Sequence, residues 1–274
     1  MSMNLHYVSS TGQAFDLKVG HLRTRTADFH NYTWLPRGVA QQYGEKVYRF
    51  DREPVTYSAL ISVFGSLKER REYLNLLPAA IDHDIRTMTP GQIQHGLDSI
   101  DCFITFSSTY YEDPFTQNEI LIYCPYPFWT RSTTHRMTIP EEFEYSYLDF
   151  PYDFMYDYKG TLAGYEVIDN SAVAPAEWVM KIKGPAASPM VYIDDMVIGV
   201  YATIGTDEEI VINSKDKTVV KIGNNGMETN LFNSRYKASS IFQPIASGGH
   251  SVLWSGYFEF VLDVYEERSE PLWI

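Results

Sequence analysis

The second half of the chain is divided into short apolar runs that recur about every ten residues, with glycine or asparagine turns between them. A helix of ordinary length would need about ten or more residues with apolar positions three and four apart. Runs at this regular spacing instead predict the strands of a compact antiparallel sandwich. The predicted strands are residues 178–183, 191–193, 197–203, 209–212, 218–222, 251–254 and 257–265.

Aromatic residues make up 15% of the chain, with 21 Tyr, 15 Phe and 5 Trp. Flat rings pack well across a pleated, half-buried surface, and tyrosine can keep its hydroxyl in water. The excess of rings therefore favours a β-rich fold. A more specific alternative explanation of the excess is that these rings stack on sugars or bases.

The first half predicts strands and one short helix. In residues 54–64, P-V-T-Y-S-A-L-I-S-V-F, apolar positions alternate on one face, which predicts a strand. Ser66 and Glu69 in S-L-K-E form a capping box, and leucines at helical spacing follow until Pro78, where we expect the helix to end. Further short strands are expected over residues 81–88, 100–107 and 119–123, and the prolines of C-P-Y-P-F-W at 124–129 predict an exit from the sheet.

Composition changes between the two halves. Residues from 131 to 158 become rich in acidic and aromatic side chains and show no long apolar periodicity. We interpret part of this stretch as a connector. The predicted organisation is a first domain over 1–140, a connector over 141–161 and a second domain over 162–274. Trp273 and Ile274 are apolar, which leaves open a return of residues 266–274 onto the first domain.

The charge balance disfavours two classes of function. The chain has 22 Lys and Arg against 35 Asp and Glu, a net charge of −13. General nucleic-acid binders and polybasic membrane-surface proteins need clustered excess positive charge to meet phosphates. Since the sequence also lacks a basic start before an apolar run and any apolar run of about 18 residues, we expect neither a cleaved signal nor membrane insertion.

The two cysteines, Cys102 and Cys124, are too few for a disulfide scaffold or a four-thiolate zinc site. They lie on separate predicted strands that could be neighbours. Two buried thiols is the default expectation and a cross-strand disulfide is the minority alternative. Whether the two thiols pair stays open at this point.

No catalytic, metal or cofactor motif is present. G-x-S-x-G, G-x-x-x-x-G-K-[ST] and G-x-G-x-x-G do not occur. Acidic groups such as Asp194-Asp195 are expected in solvated turns. In Asp82-His83-Asp84, strand alternation would place the imidazole opposite the two carboxylates, which is poor geometry for one metal ion. We therefore expect no enzyme, no metal and no cofactor, and the sequence assigns no ligand-binding residue.

The phrase W-V-M-K-I-K-G-P-A-A-S-P-M-V-Y-I at 178–193 is a strand that leads through glycine-proline and serine-proline into the next strand. It belongs to a series of phrases that resembles the distal tail proteins of siphophages, the Dit family. The acidic residue common after the following strand is Asn213 here. Other phrases are D-F-P-Y-D-F from Asp149, E-E-I-V-I-N at 208–213, the turn at 223–226, N-L-F at 230–232 and the stretch 245–254. In the first half the match involves residues 15–20, the helix from Ser66 and the 124–129 phrase.

The resemblance implies an all-β protein of two sandwiches, the first carrying a helix and the second galectin-like. It further implies a homohexameric ring at the distal end of the tail, formed by the first domain. This ring would join the tail tube protein to the tail-associated hub and the adhesin apparatus, with receptor-binding proteins attached to the second domain. The expected location is the virion, after synthesis in the cytoplasm of the bacterial host.

The alternative function is a carbohydrate-binding sandwich that recognises host-surface glycans. Galectins use a constellation of His, Asn, Arg and Trp on adjacent strands. Asn233 and Arg235 are close in the sequence, whereas His250 and Trp254 come later, near a glycine turn. The sequence does not assemble them into one site. Solution mass separates the alternatives, because a hexamer fits the ring and a monomer fits the binding module.

Overall fold

The computed structural model describes residues 5–18, 22–112, 115–140 and 164–273. The chain divides into two compact units, of which the first comprises Met1–Arg131 with Glu267–Ile274 and the second comprises Ser132–Glu266. The first segment of unit 1 ends at 131, whereas the sequence predicts a first domain that ends at 140. The predicted connector, 141–161, lies outside the described residues. No helix in the described part of the chain is long and apolar enough to cross a bilayer.

The elements of unit 1 are β1 (Leu5–Val8), β2 (Ala14–Asp16), β3 (Leu22–Ala27), β4 (Leu35–Ala40), β5 (Glu45–Asp51), β6 (Val55–Val63), α1 (Leu67–Thr87), β7 (Gly91–His95), β8 (Asp98–Glu112), β9 (Phe115–Cys124) and β10 (Trp129–Met137), which continues into unit 2. Apart from the two-stranded hairpin of β4 and β5, the strands form two antiparallel sheets that share one long strand. One sheet has the order β2-β1-β7-β8, and the other contains β3, β6, β9 and the second part of β8. Strand β8 passes from one sheet to the other after Cys102, which pairs with β7, because Phe103 already pairs with β9.

The core of unit 1 lies between these sheets and under α1. The predicted alternation in β6 is confirmed, because Tyr57, Ala59, Ile61 and Val63 are all buried. Trp129, also fully buried, donates its indole N–H to the Tyr57 hydroxyl at 3.2 Å. An apolar face of this kind holds both sheets together by removing side chains from water.

The helix begins as predicted and ends later than predicted. Glu69 N–H donates to Ser66 Oγ at 3.4 Å, and Ser66 N–H donates to Glu69 Oε2 at 2.8 Å, so the capping box is confirmed. The predicted end at Pro78 is wrong, since α1 runs through Pro78 to Thr87. The buried positions Leu77, Ala80, Ile81 and Asp84 keep helical spacing past the proline, and their burial outweighs the missing N–H. Residues 81–87 are consequently helical, and the strand expected at 81–88 is wrong.

The elements of unit 2 are β11 (Gly164–Asn170), β12 (Glu177–Lys183), β13 (Ala186–Ala187), β14 (Met190–Ile193), β15 (Met196–Gly199), β16 (Thr203–Ile204), β17 (Glu209–Asn213), β18 (Thr218–Ile222), β19 (Glu228–Asn230), a 3-10 turn (Phe232–Ser234), β20 (Gly248–Trp254) and β21 (Phe260–Arg268). Apart from the short pair of β13 and β16, the strands form two antiparallel sheets, of which one has the order β11-β20-β14-β15 and the other β19-β18-β17-β12-β21. Their facing side chains form a second core, in which Trp178, Met180, Ile210 and Leu262 are fully buried.

The chain after β21 returns to unit 1. Leu272 N–H donates to Asp98 Oδ2 at 2.9 Å, and the same carboxylate takes two further bonds from Arg131, at 2.8 and 2.9 Å. Trp273 stacks on His30 with ring centroids 3.7 Å apart. The last strand of unit 2 is therefore followed by a tail that completes unit 1.

Candidate functional site

The hairpin formed by β4 and β5 contributes nothing to either core. No residue from 35 to 51 is buried, although the hairpin carries several large apolar side chains. Tyr43 at the tip is 86% exposed, Tyr48 65% and Phe50 58%, and Val39 and Val47 are exposed as well. These five side chains, on an element that projects without core contacts, form the surface that we call the hairpin patch.

Internal contacts of the hairpin are polar and solvent-exposed. Asp51 pairs with Arg37 at 3.0 Å and with Arg49 at 3.1 Å. The strand register shifts between Arg37 and Gly38, which leaves Tyr48 without a direct partner on β4. A two-stranded hairpin of this kind is marginally stable in water by itself. Exposed ion pairs add little to that stability, because water screens them.

An aromatic cluster surrounds a cation at the base of the hairpin. Arg52 directly follows β5, and Trp34 directly precedes β4. The Arg52 guanidinium carbon lies 4.8 Å from the ring centroid of Phe128, 5.4 Å from that of Trp34 and 5.5 Å from that of Tyr32. Burial lowers the pKa of Arg52. We call these four residues the Arg52 cluster.

The Asp82-His83-Asp84 motif lies on α1 and not on a strand. Asp84 is buried and accepts hydrogen bonds from Tyr7 Oη at 2.5 Å, Ser10 N at 3.0 Å and Ser10 Oγ at 2.6 Å. Asp82 and His83 are on the exposed side of the helix. The helical period therefore separates the two carboxylates that strand alternation would have placed together. The motif holds α1 against β1.

Cys102 and Cys124 are both fully buried and both free thiols. Phe103 pairs with Tyr123 in the ladder between β8 and β9, so the cysteines occupy the next opposed position of that register. Burial raises the pKa of both thiols, that of Cys124 to about 12. Buried, protonated thiols behave as small apolar side chains.

Unit 2 contains a groove of about 890 Å³ at the ends of β14 and β20. Tyr192, Trp254 and Tyr257 supply rings, and Pro185 and Pro189 supply further apolar surface. The lining includes no charged and no amide side chain. The side chains there offer sugar hydroxyls only the hydroxyl groups of serine and tyrosine, in contrast to the charged and amide groups of the galectin constellation.

Of the four residues considered for glycan binding, Arg235 and His250 have partners elsewhere. Arg235 donates to the Phe232 carbonyl at 2.7 Å and lies over the Phe232 ring. His250 Nδ1 bonds to Asp194 Oδ2 at 2.6 Å, which shows that Asp194 does more than occupy a solvated turn. Asn233 lies in the 3-10 turn, and Trp254 is buried. In the described part of the chain, no hydrogen bond joins these four residues to one another.

The hairpin patch and the Arg52 cluster were not predicted from the sequence. A usable signal is present in K-V-Y-R-F-D at 46–51, where apolar and charged residues fall on both faces of the strand. A strand that packs one face on a core separates the two kinds of residue instead.

No protein-family model matches the sequence, and no curated protein matches it either. Solved structures do match its fold. The Dit protein (gp 19.1) of phage SPP1, described as a paradigm of hub adsorption apparatus in phages that infect Gram-positive bacteria, aligns with a TM-score of 0.61 and 13% identity, covering 98% of this chain and 100% of that one.

The baseplate of phage P2 contains a second similar chain. In the activated conformation with Ca it aligns with a TM-score of 0.62 and 14% identity, covering 98% of this chain and 99% of that one. The form with Sr aligns with the same TM-score and coverage at 13% identity. The expected all-β class is confirmed, and the resemblance seen in the sequence is confirmed at the level of structure. This chain has the fold of the phage Dit proteins.

Proposed function

We propose that this protein is a structural component of a phage tail tip that assembles into a homohexameric ring through unit 1. The observation that carries the proposal is the hairpin patch. Large exposed apolar surfaces on soluble proteins mark interaction sites, and a hairpin without core contacts needs a partner to hold it. Another copy of the same chain supplies a partner for every hairpin when contacts run head to tail and close into a ring.

The Dit fold supports the rest of the proposed role. In the tail tip, the ring joins the tail tube protein to the hub and the adhesin apparatus, and unit 2 serves as an attachment platform for receptor-binding proteins. The protein resides in the virion, at the distal end of the tail, after synthesis in the host cytoplasm. The role is mechanical and not catalytic. A net charge of −13 suits a channel through which DNA slides without adhering.

The ring is tested by the mass of the purified chain in solution. Light scattering after gel filtration should give six times the chain mass of 31.5 kDa, and negative-stain images should show six-fold rings. Tyr43→Ser combined with Tyr48→Ser should yield monomers with an unchanged circular dichroism spectrum, because neither side chain is buried.

The matched control is Tyr257→Ser, which removes from unit 2 a ring that is 61% exposed, close to the 65% of Tyr48. It should leave the hexamer intact. A monomeric native chain would overturn the ring, and a hexamer that survives the double hairpin substitution would show that the hairpin patch does not form it.

A further inference from the structure

We infer that the Arg52 cluster is a docking site for a carboxylate side chain of the neighbouring copy. The inference rests on the proposed ring and identifies a specific contact within it. The cluster is continuous with the hairpin patch, because Trp34 and Arg52 are the residues at which the chain enters and leaves the hairpin. Any partner that covers the hairpin patch near its base comes close to the guanidinium.

Two nitrogens of the guanidinium lack acceptors within the described part of the chain. Arg52 Nε and Nη1 are both buried and have no hydrogen-bond partner. Across residues 5–18, 22–112, 115–140 and 164–273, no carboxylate forms an ion pair with Arg52. The faces of the three rings attract the positive charge, but they do not replace oxygen acceptors in the guanidinium plane. A partly buried cation with unused donors is costly, and an incoming anion offsets that cost.

A carboxylate is the group that fits this arrangement. Guanidinium presents a planar fork of N–H donors that matches the two oxygens of Asp or Glu. Tyr32 and Trp34 cover the cation, yet they are 45% and 40% exposed, so a partner reaches the guanidinium when these rings turn.

The continuity with the hairpin patch favours a second copy as the source. Each chain carries 35 acidic residues, so a neighbouring copy has carboxylates to offer to the guanidinium. A sugar would use the rings without needing the charge. Such binding would not depend on an anion and would leave the ring contacts unchanged.

The direct experiment places a reactive amine at this position. Arg52→Lys keeps the charge, and a carbodiimide joins an amine to a carboxylate only when the two groups touch. Rings assembled from a mixture of isotopically light and heavy full-length chains are treated and digested. We expect mass spectrometry to show a cross-link from position 52 of one chain to an Asp or Glu of a chain with the other isotope label. The cross-link should be absent from native rings, because arginine does not react with the activated carboxylate.

A second measurement follows the strength of assembly. Arg52→Gln should weaken ring association at least 10-fold in 100 mM salt and flatten its dependence on salt, while Arg52→Lys keeps the native salt dependence. Lys237→Gln, which removes one exposed positive charge from unit 2, is the matched control and should change neither.

The outcomes separate this inference from the proposed ring. A monomeric native protein overturns the ring and the inference together. If native rings form but the introduced amine cross-links to no carboxylate of another copy, the ring stands and the docking site is wrong. If Arg52→Gln weakens the ring with an unchanged salt dependence, the cluster only orients the hairpin, which also overturns the inference.

Discussion

Asp84 shows how a single buried acid can position an entire helix. Its carboxylate takes three hydrogen bonds from Tyr7 and Ser10, so α1 is tied to the first strand and the turn that follows it. Burial and the bond to Asp84 raise the pKa of Tyr7, which keeps the hydroxyl protonated as the donor. Gly91 allows this close packing, because a Cβ there would lie 2.7 Å from Asp84 Oδ2.

Asp84→Ala should therefore lower the free energy of unfolding by about 2–4 kcal/mol, because it leaves the buried Tyr7 hydroxyl without an acceptor. Asp82→Ala, two residues earlier on the exposed side of the helix, should change it by less than about 0.5 kcal/mol. Urea unfolding followed by circular dichroism measures both. Equal effects of the two substitutions would contradict this account of Asp84.

A second prediction at the residue scale concerns how the contribution of His250 to stability depends on pH. Nδ1 faces Asp194 Oδ2 at 2.6 Å and Nε2 faces the Ala246 carbonyl at 2.9 Å, so only the doubly protonated ring satisfies both acceptors. Burial lowers the pKa of His250, but the hydrogen bonds to Asp194 and Ala246 outweigh it and the net shift is upward. Bonds from His250 and Ser251 lower the pKa of Asp194.

The direction of the pH dependence of stability follows from the pKa shifts of His250 and Asp194. The histidine contribution is fully present below its unfolded pKa of about 6.5 and is lost as the pH rises through the folded value. The aspartate contribution is present above about 4 and is lost as the pH falls through its folded value. The pair therefore stabilises unit 2 most between about pH 4 and 6.5.

A double-mutant cycle with His250→Gln and Asp194→Asn measures this coupling by urea unfolding at two pH values. It should be below about 1 kcal/mol at pH 6, because Asp194 is nearly half exposed, and should be smaller at pH 9. A coupling energy that is equal at both pH values would mean that His250 does not act as an imidazolium.

At the scale of elements, the cap of α1 gives the clearest test. Ser66→Ala removes the hydroxyl that accepts from Glu69 N–H and should cost about 1 kcal/mol of stability, whereas Ser66→Gly should cost only a few tenths. The comparison is made by thermal unfolding, with the helical signal as readout. Alanine and glycine variants of equal stability would show that the cap contributes nothing.

Elements were predictable from sequence where local chemistry decides them. The capping box placed the start of α1, and alternation placed β6, because each depends on neighbouring residues alone. The end of α1 was not predictable from Pro78, since the buried faces of Leu77 and Ile81 decide it through contacts with distant strands. In the same way, no strand was predicted over β10 (Trp129–Met137), where the composition changes toward acidic and aromatic residues.

The hairpin of β4 and β5 shows a different limit. The mixed faces of residues 46–51 indicate a strand without a core-facing side, but they do not indicate which residues meet at the base of the hairpin. The rings around Arg52 belong to Tyr32, Trp34 and Phe128, which are separated along the chain. No local sequence pattern predicts such a cluster.

At the scale of the whole molecule, the returning tail gives a prediction about unit 1. Truncation after Glu266 removes the donor that Leu272 provides to Asp98 and the ring that stacks on His30. Amide hydrogen exchange should become at least about 10-fold faster in β7 and β8 and stay unchanged in β12 and β17. Trp273→Ala should produce a smaller change in the same strands. Uniform acceleration in both units would show that the tail does not belong to unit 1 alone.

The tail also sets an order of events during synthesis. Unit 1 combines Met1–Arg131 with Glu267–Ile274, so all of unit 2 is translated between its two segments. While residues 132–266 are being translated, Asp98 lacks the N–H donor of Leu272 and His30 lacks the stacking ring of Trp273. Unit 2, by contrast, is contiguous and can close around its core as it emerges. A nascent chain thus presents its hairpin before unit 1 is complete, and mature unit 1 is ready for assembly only once translation has passed Trp273.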